Sequence, residues 1–317
     1  MNLSLFCDII HPEGRKKEGS YLMDLLHQKY PWLVTWKHSD YLSPNYYQRL
    51  LKPYVFGGRD DLTLFDDFLA SLKVKPQKAL ELGCGSGRGT EVFLKRFPKT
   101  RLDVLDLSPQ MLEFTHKHFP VQEKILSDTF NYLSETKEKY DFVFSLWSFS
   151  HSLHQHLETA TDLERGKSKL SDVLKNFIVL NLEKDGDFFI IHFDSQSDEQ
   201  KILMKQWAKT SPVYDVGKQQ SLSLQVIERT LNDLQQTGIV SFSIKHFVGE
   251  PIVYDDINLA LETFLNFHLE GCLNNRPEKE ITSIIDELSG YFNRFLDPKT
   301  GKISIKPGCF IIKIHKG

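Results

Sequence analysis

The chain has 317 residues, 40% of them hydrophobic and 26% charged, with a formal net charge of −3. That length supports a large core and one or two domains. The near-balanced charge lacks the basic excess or stripe of a nucleic-acid binder, and no apolar run reaches the length of a membrane span. The stretch Met1–Asp8 lacks the basic and apolar regions of a secretory signal. Cys7, Cys84, Cys272 and Cys309 are far apart with no C-x-x-C pair, so neither a zinc knuckle nor a disulfide framework is indicated. A reducing, cytoplasmic location is the expectation.

In chain order, residues 1–60 carry helix-like segments near Arg15–Lys29 and Pro44–Leu51, rich in tyrosine and tryptophan. Asp61–Leu72 has an apolar stripe at helical spacing, and Lys78–Leu82 reads as a short buried strand. Glycines at 83, 85, 87 and 89 follow it, and a helix-like pattern starts at Thr90. Such glycines let the backbone take positive φ and let a ligand approach with no Cβ in the way. The unpaired N–H groups of the next helix face the same side. The loop lacks the Gly-Lys-Ser/Thr ending of a P-loop, and its spacing fails the G-x-G-x-x-G dinucleotide fingerprint.

Arg101–Asp106 reads as a second strand ending in an acid about 20 residues beyond the loop, where a ribose-binding carboxylate belongs. Pro109 suits the first turn of the next helix. A third strand lies within Gln122–Leu126, and a fourth is Tyr140–Leu146. Lys167–Leu182 is a long amphipathic helix, and Phe188–Phe193 a fifth strand. Alternating strands and helices predict a doubly wound, mostly parallel α/β sheet. Further on, Asp198–Lys209 and Leu224–Thr237 read as helices, Ile239–Phe247 as a strand and Cys309–Ile314 as the last strand.

The pattern E-x-G-x-G-x-G from Glu81 to Gly87, the acid Asp106 and the D-x-S-x-x-M-L turn from Asp106 to Leu112 together resemble the class I S-adenosylmethionine (SAM)-dependent methyltransferases. The resemblance implies a seven-stranded, mostly parallel sheet with an antiparallel last strand. It places Glu81, Gly83, Cys84, Gly85 and Gly87 beside the methionine part of SAM, with Cys84 a small filler. It implies that Asp106 accepts from the ribose hydroxyls and that Leu107 and Met111 sandwich the adenine. Asp128, with Thr129 beside it, would then mark the adenine amino group, and Ser145 the end of strand four. The competing role of Asp106 and Asp128 is a helix N-cap, and that of Met111 is core packing.

The segment Ser145–His156 stands where that family faces the transferred methyl group. It has neither the N/D-P-P-Y/F motif of nucleic-acid amino methylation nor the paired glutamates of arginine methylation. It resembles the F-S-x-x-x-x-H-H-L pattern of broad small-molecule methyltransferases, with His151 at the second histidine. His151 is the candidate general base, because imidazole titrates near neutral pH. A helix-start histidine bonded to backbone is the alternative. Tyr46, Tyr47, Trp147, His192 and Asp194 are candidates for the acceptor pocket, and no metal is expected.

The sequence therefore implies an N-terminal helical cap over 1–60, a SAM-binding core over 61–248, a helical cap insert over 249–307 and a final core strand over 308–317. The expected activity is methyl transfer to a small-molecule substrate, on oxygen or nitrogen, by a monomer or homodimer that binds neither nucleic acid nor membrane. A protein or carrier-bound acceptor, a non-catalytic SAM-binding protein and aminopropyl transfer are the rivals.

Overall fold

The structure is a computed structural model that describes residues 28–31, 51–209, 220–265 and 278–317. Two compact units divide the chain: Leu42–Ile252 with Ile305–Gly317, and Met1–Tyr41 with Val253–Ser304.

The larger unit is built on a seven-stranded sheet. Its elements run α1 (Asp61–Ser71), β1 (Lys78–Leu82), α2 (Arg88–Arg96), β2 (Arg101–Asp106), α3 (Pro109–His118), β3 (Glu123–Leu126), α4 (Thr129–Glu135), β4 (Tyr140–Leu146), α5 (Ser148–Glu158), α6 (Leu163–Leu180), β5 (Leu182–Phe193), α7 (Asp198–Trp207), α8 (Leu222–Gln236) and β6 (Val240–Val248). After β7 (Ile252–Tyr254), α9 (Ile257–Thr263), α10 (Glu278–Phe292) and β8 (Ile303–Ile305), the chain ends in β9 (Gly308–Lys316). The strand order is β3-β2-β1-β4-β5-β9-β6. The pairings among β1 to β5 are all parallel, and β9 runs antiparallel to both its neighbours, β5 and β6. This is the sheet the sequence predicts.

Alternation along the strands sorts two apolar layers. Phe142 and Phe144 of β4 and Phe189 of β5 point to one face. There they meet Phe65 and Phe68 of α1 and Phe93 of α2 in a continuous aromatic stack, with centroid separations such as 4.8 Å for Phe65–Phe144 and 5.6 Å for Phe93–Phe142. Leu80, Val143, Phe188 and Ile190 belong to the other layer, under Phe149 and Leu153 of α5, Leu174 and Phe177 of α6 and Ile227 and Leu231 of α8.

Three details differ from the sequence reading. Residues 148–158, given no element of their own in the sequence reading, form helix α5, whose buried Phe149, Leu153 and Leu157 repeat every fourth residue. The fifth strand, read at Phe188–Phe193, starts earlier, and Leu182–Asp187 is the first part of a longer β5. There Tyr140 pairs with Leu182 but Phe142 with Asp187, so the extra residues bulge out, with Asp185 at φ 61°. A left-handed non-glycine residue is favoured at such a kink when it is Asp or Asn. The insert before β9, read as helical, also contains β7 and β8, which pair with each other.

The smaller unit has its own core, in which Phe264 meets Phe292 of α10 edge-on at 5.0 Å, with Leu261, Ile285 and Leu288 buried beside them.

Phe65 is fully buried at the centre of the aromatic layer. Phe65→Ala is expected to cost about 3–5 kcal/mol, the range for emptying an aromatic site that cannot collapse. Urea titration checks this, and the same change at the exposed Val74 should be nearly silent.

Candidate functional site

The open, C-terminal edge of the parallel strands is where such sheets bind ligands. Here that edge carries the turn after β1. Gly83, Gly85 and Gly87 all adopt positive φ, at 76°, 50° and 81°. The turn is bolted from two sides. Gly83 and Cys84 donate their amides to the Leu105 carbonyl at the end of β2 (2.8 and 2.9 Å). Gly85 donates its amide to Asp106 Oδ2 (2.8 Å), and its carbonyl accepts from Thr115 Oγ1 of α3 (2.9 Å). At Gly83 and Gly87 the missing Cβ is needed for packing: it would meet Ser148 Oγ at 1.9 Å and the Phe119 ring at 2.5 Å. At Gly85 nothing lies within 4 Å of the Cβ position, so this glycine presents bare backbone to open space.

Two carboxyl groups flank the turn. Asp106 also accepts the Ser108 amide on Oδ1 (2.8 Å). Burial lifts its carboxyl above the ordinary range, against the pull of the Ser108, Gly85 and Leu107 amides. Glu81 lies beneath Gly89 and accepts a short hydrogen bond from Thr90 Oγ1. Burial, helped by the Asp106 charge and opposed by the Thr90 hydroxyl, pushes Glu81 up to about 8. Ser86 Oγ is buried in the same turn with no hydrogen-bond partner among the described residues. Cys84 is buried with its thiol pushed well above its usual range, first by burial and then by Glu81 and Asp106, which fits a filler and not a nucleophile.

The remaining predicted cofactor residues fall around this edge. Leu107 is a large hydrophobic left 50% exposed directly after Asp106, and Met111 is buried behind it in α3. Asp128 caps α4 through the Asn131 amide (3.0 Å) and also accepts from Ser152 Oγ (2.9 Å) and His156 Nε2 (2.6 Å) of α5. Burial works against its ionisation, yet those three bonds hold it below the ordinary range. The structure thus gives Asp128 the N-cap role and a tie to α5, and Thr129 is buried at the helix start. Ser145 is fully buried and donates to the Leu82 carbonyl (2.7 Å), so its hydroxyl joins β4 to β1.

The acceptor candidates separate. Trp147 ends β4 in the left-handed region, at φ 71°, and its ring meets Phe193 at 4.8 Å. His151 is exposed on α5, 5.4 Å from the same Phe193 ring. His192, a candidate for the acceptor pocket, is buried. It lies on the face of β5 covered by α8, with Nε2 2.8 Å from Ser223 Oγ and Nδ1 2.6 Å from the Phe193 carbonyl. Burial, with His151 nearby, pulls it down to about 4, and burial with His192 and His151 pulls His154 down to about 3. Asp194 is buried, accepts the Gln196 amide (2.8 Å) and pairs with His246 (2.8 Å). Tyr46 and Tyr47 lie outside the described residues. Sequence reasoning missed Thr115, Thr90 and Phe193, and only Phe193 carried a signal, as the last apolar residue of a strand.

These residues fit SAM. The bare Gly85 backbone and the orphaned Ser86 hydroxyl offer hydrogen-bonding room. Asp106 keeps free lone pairs for hydroxyls, and Leu107 gives an exposed apolar face for a ring. Two carboxyl groups suit a sulfonium cation. Among the described residues no group of three or more His, Cys, Asp or Glu side chains is placed to hold a metal ion, and no helix is long and apolar enough to cross a membrane.

The chain is similar to known proteins over part of its length. The family model described as "Methyltransferase domain" matches residues 79–175, which run from β1 into α6. Malonyl-[acyl-carrier protein] O-methyltransferase 1 of Ilyobacter polytropus is 40% identical over 78 residues, 24% of this chain and 28% of that protein. Trans-aconitate 2-methyltransferase of Rhizobium rhizogenes is 26% identical over 157 residues, 49% of this chain and 54% of that protein. The chain therefore spans about a quarter to a half of the length of these relatives. A solved structure of the plantazolicin methyltransferase BamL with SAH, S-adenosylhomocysteine, and a triazolic desmethylPZN analog covers 94% of this chain and 90% of its own, at 16% identity and a TM-score of 0.38.

Two outcomes follow from the carboxyl groups. Asp106→Ala should weaken SAM binding by about 1.5–3 kcal/mol, the range for hydrogen bonds to a charged group, measured by calorimetry. Glu81, with a folded pKa of about 8 above its ordinary 4.5, adds stability below about pH 4.5 that is lost as the pH climbs through 8. Melting curves of the ligand-free chain between pH 6 and 9 should fall, and Glu81→Gln should flatten that slope.

Proposed function

We propose that the chain, whose residues 79–175 match the model of a methyltransferase domain, is a class I SAM-dependent methyltransferase that transfers the SAM methyl group to oxygen or nitrogen of a small-molecule acceptor. When bound, SAM supplies a sulfonium-activated methyl group, so the protein's contribution is to hold the acceptor in line and exclude water.

The observation that carries the acceptor side is the segment that leaves β4. It puts the indole of Trp147 and the ring of Phe193 together at 4.8 Å, with the exposed imidazole of His151 against Phe193 and the Ser148 side chain packed on Gly83 of the cofactor turn. An apolar wall, a titratable imidazole and the cofactor turn thus meet in one place. No acidic pair of the kind that grips a guanidinium stands in this segment. His151 is the residue we assign to proton removal from the acceptor.

A carrier-bound acceptor is the second reading, favoured by the relative named as acting on malonyl-[acyl-carrier protein]. The relative named for trans-aconitate favours a free small acid. Both names describe carboxylate chemistry, in which the acceptor is already a good nucleophile and positioning supplies most of the rate.

Labelled SAM offered with a metabolite extract, and separately with acylated carrier protein, distinguishes the readings: label in a small product supports the first, and label retained on the carrier supports the second. Binding of SAM with transfer to neither leaves a SAM-binding protein. With an acceptor in hand, His151→Ala should lower kcat by about 10²–10⁴-fold if imidazole removes the proton. SAM affinity should stay unchanged, since the cofactor turn is anchored elsewhere. A carboxylate acceptor reverses the expectation: kcat and its pH profile should then survive the substitution.

A further inference from the structure

Asp61 stands outside every motif described so far, yet three N–H groups converge on it. Its side chain is fully buried at the first turn of α1. Arg88 grips it with a two-pronged contact, Nη1 to Oδ2 at 2.9 Å and Nη2 to Oδ1 at 2.8 Å. The indole Nε1–H of Trp147 donates to Oδ2 at 2.8 Å. Arg88 is the first residue of α2, directly after Gly87 of the cofactor turn, and Trp147 is the residue that enters the acceptor segment. Both helices behind them, α2 and α5, start from a left-handed residue, Gly87 at φ 81° and Trp147 at φ 71°.

Glycine tolerates that conformation, but tryptophan needs the surroundings to impose it. Here the surroundings are the Asp61 carboxylate, the Trp147 amide bond to the Ile191 carbonyl (2.9 Å) and the rings of Tyr54 (5.6 Å) and Phe193 (4.8 Å). A second contact joins the same two segments independently: Ser148, the residue after Trp147, fills the space a side chain at Gly83 would need. The cofactor turn and the acceptor segment therefore meet twice, once by packing and once through a buried charged bond.

We propose that Asp61 is a positioning residue that couples cofactor occupancy of the glycine turn to the conformation of Trp147, so that the acceptor wall is set when the cofactor binds. Asp61 touches neither reactant. It acts by making Arg88 and Trp147 share one carboxylate, so a shift of α2's first turn changes the hydrogen bond that holds the indole. The inference rests on the SAM reading of the turn.

The test uses the full-length chain with ¹⁵N-labelled indoles and SAH as the probe. Trp147→Phe assigns the Trp147 resonance. In the wild type, saturation with SAH should move that resonance. In Asp61→Asn the resonance should lose its hydrogen-bonded position and its response, and SAH affinity should fall at least about fivefold, the lower end of ordinary coupling between sites. If Asp61→Asn does not fold, Trp147→Phe, which keeps an aromatic ring but removes the indole bond together with part of the ring packing on Tyr54, Phe56 and Phe193, should show the same loss of SAH affinity by calorimetry. Leu234→Ala, which empties a buried position of α8 in the apolar layer on the other face of the sheet from α1, should keep the Trp147 response. A Trp147 resonance that stays still in the SAH-saturated wild type overturns the coupling, as does wild-type SAH affinity in the substituted chain. Absence of any SAH binding by the wild type overturns the cofactor reading and this inference with it.

Discussion

A turn with three left-handed glycines has no internal reason to hold its shape, because each glycine is free to leave that region at little steric cost. What fixes this one is the neighbouring strand. The Leu105 carbonyl takes two amides of the turn, and Asp106, the next residue, takes a third. The acid that would bind the cofactor's ribose is thus also the acid that shapes the loop beside it. Thr115 and Phe119 of α3 close the other side, through the Gly85 carbonyl and against Gly87. The bare backbone at Gly85 survives as a binding surface because everything around it is pinned.

The same economy governs the buried carboxyl groups. Asp61 has a guanidinium fork and an indole N–H, and Asp128 has an imidazole, a hydroxyl and an amide. Glu81 has a threonine hydroxyl and no cation among its described partners, and burial raises it to about 8. A carboxyl group left in that state gains most from a cation arriving nearby. In this turn the chemistry of SAM would supply one.

The sheet was legible because it obeys short-range rules. β2 and β4 fall on the predicted residues, 101–106 and 140–146: β4 is a mostly apolar run, and β2 carries Leu102, Val104 and Leu105 up to an acid before a turn. Helix α5 carried its own signal in Phe149, Leu153 and Leu157, but the surrounding serines and histidines drew the reading toward chemistry and away from periodicity. β7 and β8, of three residues each, are too short to show a period. The cofactor turn was legible from glycine spacing, yet Asp61 was not. Its partners lie 27 and 86 positions away, and no local pattern marks a residue whose role is set by which strand ends the sheet brings together. For His192 the sequence places the residue at the end of β5, but its facing is decided by alternation, and α8 covers the face it takes.

The opposite edge of the sheet shows what the site edge gives up. There Lys78, Asp103, Tyr140 and Tyr132 form one connected set: Tyr140 Oη donates to Asp103 at 3.2 Å, the two tyrosines bond at 2.5 Å, and Lys78 lies 4.9 Å from the centre of the Tyr140 ring. These side chains join β1, β2, β4 and α4, and they turn polar groups toward one another. At the site edge the polar groups instead anchor backbone, and the backbone between them stays bare. Open sheets bind at the edge where strands end and helices begin, because only there do unpaired N–H groups, glycine turns and acids converge. In this chain the bulge at Asp185 belongs to the far edge. The strained Trp147 belongs to the binding edge, next to the cofactor turn. Strain placed there can be released or tightened by a ligand, whereas the same strain at the far edge would only loosen the fold.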